Sequence, residues 1–215
     1  MQLLENFKRK FRNFGVEGLM LYAVITIGVV WAVEYILRID LSSYMMFVRD
    51  DILKGQIWRV VSFMFVPQSG GPISTFFWLI LYYSIGTNLE RYWGKAAFNL
   101  YYIIGTVVLV VGGFFSGIVI AHYFYMSLFI AYAILNPNDQ LLMLAIIPIK
   151  VKYLAFIDVL YMIYDFIVYP IAPIRVSIIM PVILLFIFFG GDIINSIKAK
   201  KRYNDFKKQF NDRNN

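Results

Sequence analysis

Six apolar stretches, each long enough to cross a bilayer, fill most of this chain of 215 residues. A membrane-spanning helix needs about 17–25 apolar residues to cross the hydrocarbon core. The stretches run over Leu19–Leu37, Thr75–Trp93, Ala96–Ser116, Ile118–Leu135, Tyr153–Tyr169 and Ile174–Ile194. They leave little room for a separate soluble domain. Hydrophobic residues make up 60% and charged residues 15%, against roughly 45–50% and 25% in soluble domains. The expected fold class is therefore an all-α integral membrane protein that crosses the membrane six times.

The net charge of +7 is compatible with nucleic-acid binding in general, but its placement argues against that partner. Lys8, Arg9, Lys10 and Arg12 precede the first stretch, and Lys198, Lys200, Lys201, Arg202, Lys207 and Lys208 follow the last. Arg91 and Lys95 fall between the second and third stretches, Lys150 and Lys152 before the fifth. These are alternate loops, all on one side of a six-span chain. The positive-inside rule puts that side, and both termini, in the cytoplasm. The loop from Arg38 to Ser74 is nearly balanced, as an outside loop can be.

Three parts follow. Residues 1–17 read as an amphipathic interfacial segment, with Leu3, Leu4, Phe7, Phe11 and Phe14 at helical spacing and basic residues opposite. A frayed basic tail is the plainer alternative. Residues 18–197 form the membrane domain. Residues 198–215 form a basic cytoplasmic tail that rests on anionic lipid or is disordered. The first apolar run is too long for a signal peptide and lacks its cleavage site, so it reads as a retained span. Leu141 to Ile149 is apolar but too short to span, and reads as an interfacial or re-entrant stretch. The chain has no cysteine and one histidine, His122, a poor start for a metal site, so no metal and no cofactor is expected.

Two motifs carry more information. Gly86, Glu90 and Gly94 form GxxxExxxG at the end of the second stretch, and Trp58-Arg59 lies in the first long loop. Glycines four apart share a helix face and let backbones approach. A carboxylate in a near-membrane turn needs a donor. Arg59 and the first-loop backbone are candidates by topology. A partner nearer Arg91 and Lys95 is the alternative, since Glu90 lies toward the inner end of its span. With Asn136-Pro137, the Ile147–Leu154 stretch and Gly190-Gly191 following in that order, the chain resembles the rhomboid superfamily over about Trp58 to Asn195.

The resemblance implies a six-helix rhomboid-like bundle. It also implies that the catalytic apparatus of rhomboid proteases, a serine in the fourth span and a histidine in the sixth, has been lost. Counted from Asn136-Pro137, the serine position is His122. Counted from Gly190-Gly191, the histidine position is Phe188. Two positions on the oxyanion side fall on Trp78 and Ser74, and the first-loop histidine position falls on Pro67. No catalytic residue is assigned. Ser127 lies five residues from His122, about 140° around a helix, so the two do not form a dyad. Ser116 is a looser possibility.

In the fifth stretch Asp158 and Asp165 nearly share a face, with Tyr161 between them. Carboxylates inside spans face the protein interior or a wet cavity. They read either as a stripe that receives a partner helix or as packing elements bonded to tyrosines. Three functions follow from these readings. The first is a non-catalytic binder of client transmembrane helices, with lipids as further partners. The second is an intramembrane serine protease with a rearranged site, and the third a small transporter or channel. No inverted repeat or pair of broken helices of the transporter kind is visible. The expected location is a bacterial plasma membrane.

Overall fold

The computed structural model describes residues 14–68, 71–143 and 147–190. Residues 1–13 of the amphipathic segment, Gly191, the end of the sixth stretch and the basic tail lie outside them. Six helices of 14 residues or more occur among the described residues, joined by short pieces. Helix α1 spans Leu19–Leu37. The first loop folds into α2 (Ser42–Met45), β1 (Phe47–Val48), α3 (Arg49–Leu53), α4 (Arg59–Ser62) and a 3-10 turn at Phe63–Phe65. Then come α5 (Pro72–Trp93), α6 (Lys95–Ser116), β2 (Ile118–Val119) and α7 (His122–Leu135). Strands β3 (Gln140–Met143) and β4 (Ile147–Lys150) lead into α8 (Val151–Val168), and α9 covers Ala172–Gly190. Helices α1, α6 and α9 are long and apolar enough to cross a membrane.

The GxxxExxxG motif joins α1, α5 and α6, and each of its residues has a separate task. A Cβ on Gly86 would stand 2.0 Å from the Met20 Cγ of α1, so only glycine admits this crossing. Glu90 Oε1 accepts the backbone N–H of Gly18 at 2.7 Å, at the start of α1. Arg59 is not its partner. Gly94 has φ of 81° and both ends α5 and begins α6, a left-handed conformation that glycine adopts without steric cost. Asn99 in α6 completes the junction, accepting from Val16 N and donating to Val16 O at 3.0 and 2.9 Å.

Arg59 holds the first loop instead. It is 4% exposed. Its guanidinium donates to Gln56 Oε1 at 2.7 Å, Ser43 O at 2.7 Å and Met46 O at 2.8 Å, and stands 3.6 Å from Asp51. Trp58 donates its indole N–H to Tyr44 O at 3.0 Å while its ring stays exposed. Asp40 accepts from the Ser43 N–H and hydroxyl, which hold its carboxyl below its ordinary range. Glu34 accepts from Ser42 N, which fixes the C-terminal end of α1 to the loop. Phe47 is fully buried, and β1 pairs with β2 through Phe47↔Val119 and Val48↔Ile118.

Helix α7 begins inside the bundle because Gly117 ends α6 and β2 runs extended before it. Its 14 residues reach about 21 Å, less than the roughly 30 Å hydrocarbon core. It is buried over most of its circumference. The stretch expected to be interfacial or re-entrant holds two antiparallel strands, with Gln140 paired to Lys150 and Met143 to Ile147. Asp139 anchors it, accepting from the Tyr132 hydroxyl at 2.7 Å and, through its carbonyl, from Val151 N at 2.9 Å.

Candidate functional site

The early start of α7 leaves a cavity of about 410 Å³ above its first turn. Helix α1, the first loop, α5, the segment from β2 into α7, and α8 all line it. The end of the first loop supplies Pro67 and Gln68, and α5 supplies Thr75, Trp78 and Tyr82. The start of α7 supplies His122, and α8 supplies Tyr161. Thr75, Trp78 and Tyr82 meet there because spacings of three and four residues share one helix face. Helices α5 and α8 both pack on α7, and both contribute to the cavity wall, so the cavity lies between them.

A polar chain crosses the cavity. Gln68 Nε2 donates to the Tyr82 hydroxyl at 3.0 Å, and that oxygen lies 3.1 Å from His122 Nδ1. With Gln68 as donor, the Tyr82 proton goes to Nδ1. This bonding pattern assigns the histidine proton to Nε2. Trp78 meets the imidazole edge-on at 5.9 Å, and Tyr161 does so at 6.2 Å. Tyr82 stacks on Tyr125 at 4.7 Å, and Tyr125 donates to Met64 O at 2.7 Å.

Of the positions singled out by the resemblance, the structure brings His122, Trp78 and Pro67 together. It does not bring Phe188 to them. Phe188 packs on Tyr101 at 5.2 Å, and the adjacent Phe189 on Trp93 at the far end of α5. The part of α9 that reaches the start of α7 includes Ser177, whose hydroxyl accepts from Ile120 N at 2.9 Å, and Ile178. Eleven residues, or about 16 Å of helix, separate Ser177 from Phe188. Gly190 also lies at that far end, beyond Phe189. Ser74 sits outside the cavity, bonded to Gly71 O at 2.8 Å.

Among the described residues, the serine hydroxyls near α7 are engaged elsewhere. Ser127 is fully buried, donates to Phe124 O at 2.7 Å and faces Tyr101. Ser116 bonds Gly112 O and Ile118 O, and Ser177 bonds Pro173 O. The two carboxylates of α8 divide. Asp165 is buried and accepts the Tyr123 hydroxyl at 2.8 Å, which ties α8 to α7. Asp158 is half-buried and lies within electrostatic range of Tyr82. Tyr161 is 46% exposed. Among the described residues no three of His, Asp and Glu converge as a metal site would require.

Thr75, Tyr82, Gln68 and Ser177 were not singled out from sequence. For the first two the signal was present in their helical spacing with Trp78. For Gln68 and Ser177 none was. No known protein family, curated protein or solved structure matches the chain.

Proposed function

We propose that this is a non-catalytic, rhomboid-like membrane protein that holds transmembrane helices of client proteins in the gap between α5 and α8. The observation that carries the reading is the cavity that α5 and α8 line together above the short α7. That arrangement offers a lateral entrance from lipid to the cavity. The rhomboid-like part rests on the order of Trp58-Arg59, the GxxxExxxG motif and an α7 too short to cross alone. In this reading α1 and α5 to α9 are six spans, both termini are cytoplasmic, and the membrane is a bacterial plasma membrane. The non-catalytic part rests on His122 bonding a tyrosine rather than a serine. Asp158 and Tyr161 supply the polar contacts for a client. A hydrogen bond between membrane helices adds about 1–2 kcal/mol at best, enough to change occupancy roughly tenfold.

The absence of native cysteine makes single-cysteine photocrosslinking direct. Probes at residues 78 and 161 are expected to capture client spans in native membranes. Probes at Ile25 and Val29, exposed on α1, are expected to capture none selectively. Equal capture at all four positions would remove the gap as the client site.

A further inference from the structure

We propose that the cavity above α7 is also a binding site for an uncharged amphiphile with a carbonyl head group, whose alkyl tail leaves through the gap between α5 and α8. Three observations converge on this class. First, two donors in the cavity wall have no acceptor within the protein among the described residues. His122 has its Nδ1 occupied by Tyr82, and Nε2 has no partner among the described residues. Thr75 is 3% exposed, and its hydroxyl has no hydrogen-bond partner. Threonine divides between two rotamers in helices, so its hydroxyl and methyl can exchange places at the cavity wall. A buried donor without an acceptor is costly, and a carbonyl oxygen satisfies one or both.

Second, no Lys, Arg, Asp or Glu lines the cavity, so nothing balances a charged head. Asp158 and Asp165 on α8 further disfavour an anion. Third, the remaining wall is aromatic and aliphatic, including Trp78, Phe63 and Ile27. The volume of about 410 Å³ lies in the range of about 300–1,000 Å³ usual for small-molecule sites. The site goes beyond client capture and does not rest on it. Ligand retention is measured on the purified protein with no client, so a failed crosslink leaves it standing.

The test is native mass spectrometry of the full chain released from micelles, with dioctanoylglycerol, decylubiquinone, decanoate and decane as probes. At least one of the two carbonyl amphiphiles is expected to be retained in preference to decanoate and decane. Retention of dioctanoylglycerol identifies a glycerolipid ligand, and retention of decylubiquinone a ring carbonyl. Thr75→Val is expected to weaken retention about tenfold, the worth of one hydrogen bond. The same variant should leave the melting temperature of the ligand-free protein unchanged or raised, because the lost hydroxyl had no partner. His122→Phe is expected to weaken retention as well. Equal retention of decane, tighter retention of decanoate, or a lower ligand-free melting temperature for Thr75→Val would overturn the proposal. So would wild-type retention by both variants.

Discussion

The crossing of α1 and α5 is the contact most open to a quantitative test. A Cβ at position 86 would lie 2.0 Å from Met20 Cγ and 2.6 Å from Met20 Cβ. Both are far inside van der Waals contact. The Met20 side chain cannot simply swing away, because it is 1% exposed and packed in the core. Gly86→Ala therefore has to push the helices apart, and overpacking of this kind costs about 1–3 kcal/mol. Met20→Ala alone opens a cavity and costs about 2–5 kcal/mol. The double variant removes the contact with Met20 Cγ and fills part of the vacated space with the new methyl, but residue 20 keeps its Cβ, so the clash is relieved in part. Its loss should fall short of the sum of the single losses by about 0.5–3 kcal/mol, the range seen for residues in direct contact. Unfolding titrations in mixed detergent and dodecyl sulfate would measure all four proteins. Strict additivity, or a Gly86→Ala protein as stable as wild type, would refute the close approach.

Arg59→Ala should cost about 3–5 kcal/mol, because it strips a buried cation from two carbonyls and Gln56. Arg59→Lys should rescue little of this, since an ammonium cannot reproduce the fork; thermal melting in detergent checks both. Glu90→Ala should cost about 1.5–3 kcal/mol through loss of the charged acceptor for Gly18 N. Glu90→Gln should cost less, because it keeps an oxygen there. Asp165→Ala should lower the melting temperature by releasing the Tyr123 hydroxyl, whereas Asp158→Ala should leave it nearly unchanged and weaken client crosslinking. If the two substitutions behave alike in both assays, the division of labour along α8 is wrong.

The parts of this architecture that were legible in the sequence are those set by local chemistry. Long apolar runs marked helices because a bilayer demands them, and Glu90 stood out because a carboxylate in a near-membrane turn requires a donor. Pairings across the bundle were less legible. Glu90 meets a backbone N–H at Gly18, and a backbone donor leaves no mark in residue identity. Residues 140–143 and 147–150 pair as strands whose base Asp139 fixes through two bonds, one of them to a tyrosine seven residues earlier. The depth of a residue in its helix was the weakest point. Counting from Gly190-Gly191 placed Phe188 opposite His122, yet α9 presents Ser177 there. A glycine pair marks a close approach without saying at which level of the bundle it occurs.

The central claim is that the gap between α5 and α8 holds a client helix without cutting it. The most direct measurement is the intact mass of client captured through a crosslinker at residue 161, after prolonged incubation of the protein in lipid. The account predicts client of full length, and no labelling of the protein by a fluorophosphonate. A captured fragment with a new terminus inside the membrane, lost on Ser116→Ala or Ser127→Ala, would contradict it.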